Sequence, residues 1–138
     1  MLQVGVLTTR REEFVDITAL VAQTLREAGL MEGAVLVYSP HTTAGITVNE
    51  GADPDVRRDM LAHLSKLVPV DDTFRHAEGN SDAHIKTSLM GPSQLIPVSG
   101  GQLCLGTWQK IYFCEFDGPR RRTVWVQPLA GGQGVGQA

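Results

Sequence analysis

Cysteine is scarce in this chain, two in 138 residues, and the two do not form a C-x-x-C pair. A secreted disulfide framework and the common cysteine zinc motifs are therefore not expected. Cys104 and Cys114 lie in apolar, strand-like surroundings, where a free thiol behaves as a small hydrophobe. An excess of one charge is also missing: 12 Lys and Arg against 15 Asp and Glu leave a net charge of -3. That balance offers no footprint for nucleic acid or an anionic membrane. The one basic run, Arg120-Arg121-Arg122, is short, follows a turn-like Asp117-Gly118-Pro119, and reads as the solvated start of a strand. No apolar run approaches the roughly 20 residues that span a bilayer. The N-terminus lacks the basic, apolar and cleavage-site succession of a signal peptide, so the expected location is cytoplasmic. Neither G-x-x-x-x-G-K-[ST] nor G-x-G-x-x-G occurs, which argues against a dedicated nucleotide-binding fold.

What is present is the patterning of one soluble domain, expected over residues 1–129, with a disordered Gly- and Gln-rich tail over 130–138. Residues 2–9 are rich in β-branched side chains and read as a strand. Asp16 is placed to cap a helix in which Ile17, Leu20, Val21, Leu25 and Ala28 recur at helical spacing, with Gly29 as its stop. A nearly all-apolar run at 34–39 suggests a strand buried on both faces, and Ile46 and Val48 alternate in a second. The next helix has Asp53 as cap, Pro54 at its first position and Asp55 at the positive end of its dipole. Its stripe is Val56, Met60, Leu61, Leu64 and Val68, with His63 at the surface beside it. Residues 70–80 read as a loop. For residues 82–90 two readings stand: a third helix capped by Asn80 or Ser81, or a strand in which Ile85, Thr87 and Leu89 alternate. Strand-like runs follow at 94–98, 102–106, 108–116 and 123–129, with turns at Gly100-Gly101 and Asp117-Gly118-Pro119. Runs of strands joined by hairpins, with a few helices between them, define an α+β domain on mainly antiparallel sheet.

Residues 76–88, His-Ala-Glu-Gly-Asn-Ser-Asp-Ala-His-Ile-Lys-Thr-Ser, hold two of the four histidines with two carboxylates, an asparagine and a lysine. Unpaired buried polar groups cost free energy, so such a stretch is either a solvated loop or part of a site. His41, His76 and His84 sit at element ends or in loops. Three imidazoles leaving an open position are a familiar catalytic metal arrangement, but this spacing fits no standard motif and by itself favours separate hydrogen-bonding histidines. Thr42 and Thr43 follow a buried strand, where their hydroxyls can hold a phosphate, a water or their own backbone. Glu50 at a strand end can accept a proton, support a histidine or simply face solvent. Gln109, Glu115 and Asp117 share a parity along one strand.

Three separated segments carry a resemblance. They are His-Thr-Thr-Ala-Gly-Ile-Thr-Val-Asn-Glu at 41–50, Gly-Asn-Ser-Asp-Ala-His-Ile-Lys-Thr-Ser-Leu-Met-Gly at 79–91, and Leu-Gly-Thr-Trp-Gln-Lys-Ile-Tyr-Phe-Cys-Glu-Phe-Asp-Gly-Pro-Arg at 105–120. In this order they resemble the YjbQ-like family, also called the secondary thiamine-phosphate synthase enzyme family, and the likeness runs to about Gln127. The resemblance implies a compact α+β homotrimer with a histidine-rich site near the subunit contacts. It implies His41, His76 and His84 as metal ligands, and Glu50, Asn80, Asp82 and Gln109 as acidic and amide site positions. Lys86 matches a basic position beside the last histidine. The implied activity joins hydroxymethylpyrimidine diphosphate to thiazole phosphate, releasing diphosphate and forming thiamine phosphate.

Taken with that resemblance, Glu50 or Asp82 would be the proton acceptor and Lys86 an anion contact, with Thr42, Thr43, Asn80, Gln109 and Arg120 around a phosphorylated small molecule. Histidines favour zinc or another transition metal, whereas displacement of diphosphate is commonly served by magnesium. The same residues also admit a metal-dependent hydrolase or a trimeric ligand-binding protein without catalysis. No nucleic acid or membrane partner is expected.

Overall fold

The computed structural model describes residues 1–131. In chain order the elements are β1 (Leu2–Leu7), β2 (Glu13–Asp16), α1 (Thr18–Ala28), β3 (Gly33–Tyr38), β4 (Ala44–Glu50), α2 (Pro54–Leu67), α3 (Ser81–Met90), β5 (Ser93–Ser99), β6 (Gln102–Leu103), β7 (Gln109–Glu115) and β8 (Arg121–Ala130). The strands form a five-stranded sheet, β1-β8-β3-β5-β6, and a three-stranded sheet, β2-β7-β4. All pairings are antiparallel. The fold is the α+β architecture that the sequence patterning implied.

Strand alternation decides what enters the core. From the large sheet Val6, Val35, Val37, Ile96, Val98, Val124 and Val126 point inward and meet Ala44, Ile46, Ile111 and Phe113 of the small one. Ile17, the residue before α1, and Val21 and Leu25 within it join this layer. β7 runs through the middle of the small sheet and is buried on both faces. Its Tyr112 and Cys114 turn away from the first core toward Phe14, Leu64, Ala83 and Phe116, under α2 and α3. Each such side chain fully buried contributes about 1.5–3 kcal/mol.

The helix signals act largely as expected. Asp53 accepts the Asp55 N–H at 2.9 Å, and Pro54 occupies the first turn of α2. Asp16 accepts the Thr18 N–H at 3.0 Å, although Ile17 stands between it and the helix. The Ile17 N–H is taken by the Ile111 carbonyl at 2.9 Å, which ties the start of α1 to β7. Gly29 ends α1 at φ 72°, a left-handed conformation that glycine adopts without steric cost.

Four details differ from or complete the sequence reading. β2 was not expected; only four residues long, it is held by pairing Phe14 with Cys114 of β7. Residues 82–90 are helical, not extended. The strand expected over 102–106 shortens to Gln102–Leu103, because the chain leaves the sheet for the turn before Gln109. β8 continues to Ala130, opposite Gly33, so the tail expected from 130 loses its first residue to the sheet, and residues 132–138 lie outside the described residues. Among the described residues no helix is long and apolar enough to cross a membrane.

Candidate active site

α3 presents three stripes at the i, i+4 spacing, and each has a different task. Ala83 and Thr87 are buried against the small sheet. Asp82 and Lys86 turn to the segment joining β1 and β2. Asn80, the cap residue, and His84 face a recess at the end of β4 and β7. This recess has a volume of about 410 Å³ and is lined chiefly by His41, Thr42, Thr43, His76, Glu78, Asn80, His84, Asp117, Arg120 and Arg122, with Pro40 at its edge. Three histidines remote in sequence are thereby brought together, with Thr42, Thr43, Asn80 and Arg120 around them.

Most groups in the recess have a definite neighbour. The His76 and His84 rings lie edge to face with centroids 5.4 Å apart. His76 Nε2 is 3.9 Å from Glu78 Oε2. His41 packs edge-on against Phe113, and its Nε2 lies 3.0 Å from the Thr123 nitrogen and 3.1 Å from the Thr123 oxygen. Burial and then the nearby Arg122 charge hold the His41 pKa below the ordinary histidine value, so its ring stays neutral near pH 7. Asp117 accepts from Asn80 Nδ2 at 2.7 Å and from Arg120 Nη2 at 3.1 Å. The bond to Asp117 fixes the Asn80 amide with its buried Oδ1 lacking a hydrogen-bond partner among the described residues.

Beneath the recess lies a buried ion pair that the sequence reading did not find. Glu115 is fully buried and accepts from Arg122 Nε at 2.9 Å and from Thr8 Oγ1 at 2.7 Å. Arg122 Nη2 donates to the other Glu115 oxygen and to Thr43 Oγ1 at 2.8 Å. Burial by itself raises the Glu115 pKa, but the Arg122 and Thr8 hydrogen bonds outweigh it and the net shift is downward. The expectation that Arg120-Arg121-Arg122 is a solvated strand start is thus corrected at Arg122. The signal was available: Arg122 shares the inward parity of Val124 and Val126.

Other expected site residues are elsewhere. Lys86 is only 1% exposed and donates to Glu12 at 2.9 Å and to Asp82 at 3.2 Å. Asp82 also receives Arg11 at 3.1 Å, and Ser65 donates to Glu12 at 3.0 Å. This cluster clamps α3 to the β1–β2 segment and to α2. For Asp82, burial acts upward, but the Arg11 and Lys86 hydrogen bonds prevail and its pKa is lowered. An anion contact for Lys86 and proton transfer for Asp82 are not available from this arrangement, because each is spent on the other. Glu50 and Gln109 pair across β4 and β7 at the opposite end of the sheet from the histidines. β4 spans seven residues, which separates that end from the recess by about 20 Å. There Glu50 Oε2 accepts the Ala52 N–H at 2.7 Å, and Gln109 Oε1 accepts the Gly106 N–H at 2.8 Å.

The zinc, other transition metal or magnesium implied earlier can be tested against these donors. His76 and His84 are the pair near enough to share a cation. His41 cannot complete a triad through Nε2, which Thr123 occupies. Among the described residues no group of three His, Cys, Asp or Glu side chains is arranged to hold a metal ion. A three-histidine centre does not fit the single chain as it stands, and no catalytic step is derived through one.

A two-sheet α+β domain with a histidine- and arginine-lined recess at one sheet end is the class that fold and site define. The chain belongs to the family described as UPF0047 protein YjbQ-like, which it matches over residues 3–131. It is 54% identical over 123 residues to UPF0047 protein YugU of Bacillus subtilis, covering 88% of this chain and 93% of that protein. UPF0047 protein MJ1081 of Methanocaldococcus jannaschii is 53% identical over 120 residues, 87% of each. Among solved structures, an uncharacterized conserved protein of the YjbQ/UPF0047 family from Clostridium acetobutylicum superposes with a TM-score of 0.90 at 53% identity, covering 92% of this chain and 98% of that one. The conserved hypothetical protein TT1486 of Thermus thermophilus gives 0.87 at 45% identity, over 94% and 100%.

Proposed function

We propose that the recess is the active site of an enzyme acting on a phosphorylated small molecule, with thiamine phosphate formation as the reaction to test first. The observation that carries this reading is the convergence of His41, His76 and His84 with Arg120 and Arg122 on one recess. Coupling hydroxymethylpyrimidine diphosphate to thiazole phosphate breaks the carbon–oxygen bond to diphosphate as the bond to the thiazole forms. Negative charge builds on the departing oxygens, where fixed donors stabilise it most. Arg122 is preorganised by Glu115 and Thr43, and Arg120 by Asp117. Arg120, half-exposed, can face the leaving group without being reoriented, while the nearly buried Arg122 adds its charge from the floor of the recess. His76 or His84 supplies the proton that diphosphate takes up, a contribution of about 10²–10⁴ in rate. His41, kept neutral, serves as a hydrogen-bonding group and not as a cation.

A homotrimer in a cytoplasmic setting completes the reading. Its supports are the exposed apolar side chains Leu95, Trp108 and Leu129, and the unpaired thiols of Cys104 and Cys114. The assay incubates purified protein with both phosphorylated substrates and reads thiamine phosphate by fluorescence after oxidation to thiochrome. Wild type is expected to turn over, with His84→Ala and Arg120→Ala slower by about 10² or more and equally stable. No product from wild type refutes the coupling reaction. Phosphate release from one substrate alone reassigns the recess to hydrolysis.

A further inference from the structure

A second cavity, of about 600 Å³, lies between α1 and the β5–β6 hairpin and shares no lining residue with the histidine recess. Its walls are apolar: Ala22 and Leu25 of α1, Leu30 and Met31 after it, and Leu103 and Leu105 at the end of the hairpin. Clefts of about 300–1,000 Å³ with mostly apolar walls and a few placed polar groups are the usual form of a binding site. Met31 stands 60% exposed at this one, an unbranched side chain able to fold over an occupant. The lining carries one cation, Arg26, and no carboxylate. Arg26 Nη2 donates to the neutral Gln23 Oε1 at 2.7 Å, and the guanidinium joins none of the ion pairs among the described residues.

One wall of the cavity is also an open sheet edge. β6 is the last strand in the order β1-β8-β3-β5-β6. Leu103 stands opposite Val98, and the Cys104 N–H donates to the Pro97 carbonyl at 2.8 Å. Antiparallel pairing alternates, so the Cys104 amide faces β5 while the N–H and C=O of Leu103 are directed away from it, to the open edge. Leu105 repeats the parity of Leu103, and both side chains pack toward the core. An occupant that covers this edge without donors and acceptors of its own would strand the Leu103 backbone groups, at a cost in free energy. An extended polypeptide brings both, at the spacing of a strand.

We infer that this groove takes an extended acidic peptide, which adds a strand to β6, rests its apolar side chains against α1 and meets Arg26 with a carboxylate. The inference is independent of the enzyme reading above. Main-chain bonds to β6 supply affinity, while the groove selects alternate apolar side chains and Arg26 selects charge.

Selection from a phage-displayed library of random octapeptides tests the groove with the intact protein. The selected peptides are expected to alternate apolar residues and to carry an Asp or Glu. Binding is then read by fluorescence anisotropy with a labelled copy of the best peptide. Ala22→Trp, which fills the groove from a half-buried position, should abolish binding. Arg26→Glu should weaken it about tenfold or more. Exchanging the peptide's acidic residue for lysine should restore binding to Arg26→Glu and not to wild type. Methylating alternate amide nitrogens of the peptide gives a readout that no folding defect mimics. One phase should remove binding and the other leave it, because only every second amide of an added strand faces β6. No selected peptide, or peptides indifferent to Ala22→Trp, would overturn the inference. Equal loss in both methylation phases, or in neither, would overturn it as well. So would uptake of decanoate in the groove with no peptide bound, or a self-associated protein that Ala22→Trp dissociates. Those last results assign the groove to a small acid or to a second copy.

Discussion

Breaking the Glu115–Arg122 pair is the sharpest test of how the recess is held in place. Glu115 is fully buried and its carboxylate takes hydrogen bonds from Arg122, Thr8 and the Asp117 nitrogen. In Glu115→Ala, Arg122 keeps only its Thr43 contacts and becomes a buried charge without a counterion. Removing one member of such a pair costs about 3–5 kcal/mol, a large part of the 5–15 kcal/mol typical of a domain. With a urea dependence of about 2 kcal/mol per molar, the unfolding midpoint should fall by about 1.5–2.5 M. Replacing both partners, Glu115→Leu with Arg122→Met, should recover most of that loss, because an apolar pair leaves no orphaned charge. Arg58→Ala is the control. Its ion pair with Asp55 is exposed on both sides, and its loss should change stability by only a few tenths of a kcal/mol. Urea titrations followed by circular dichroism decide the matter. A loss below about 1 kcal/mol in Glu115→Ala, or a double variant no better than the single one, would refute the reasoning.

Four further outcomes follow from the same structure. Because burial and Arg122 lower the His41 pKa in the folded state, the unfolded chain binds a proton first as pH falls through about 6.5, and stability should begin to drop there. His41→Asn removes that step. The lowered carboxylates Asp82 and Glu115 stabilise the fold above about pH 4 and lose that contribution on further acidification, which urea midpoints between pH 8 and 3 will show. Lys86→Met takes a partner from the buried Asp82 and should cost about 3 kcal/mol, near the low end because Arg11 remains, with KM unchanged if Lys86 never meets substrate. Gly45→Ala places a methyl 2.7 Å from the Gly91 carbonyl oxygen and 3.1 Å from Met90 Cβ, and should cost about 1–3 kcal/mol in thermal or urea unfolding.

Where local patterns were strong, they were legible. The α2 cap, its leading proline and its apolar stripe stand in the sequence as they stand in the fold. α3 was ambiguous for a physical reason: its buried residues are Asp82, Ala83, Lys86 and Thr87, so no hydrophobic period marks its inner face. β2 escaped because four residues carry too little pattern, and only its pairing with β7 makes it a strand. At the site, the histidines and Arg120 were read as candidates and do converge. Lys86 and Asp82 looked like chemistry because ionisable residues were clustered, but with Arg11 and Glu12 they form a self-neutralising cluster. Glu50 and Gln109 lie about 20 Å from the recess, along the length of β4.

The amino-acid sequence by itself determined the α+β class, the helix limits set by caps and glycine, and a pool of polar residues with chemical potential. Those properties are local, depending on alternation, periodicity and backbone preference over a few residues. Tertiary structure alone decided which members of the pool share a space. Antiparallel pairing of β4 with β7 carries the two ends of one motif to opposite ends of a sheet. The packing of α3 turns Lys86 into the interior and His84 into the recess. Proximity and burial are set by long-range contacts, and those determine whether a charged side chain meets a ligand or another side chain.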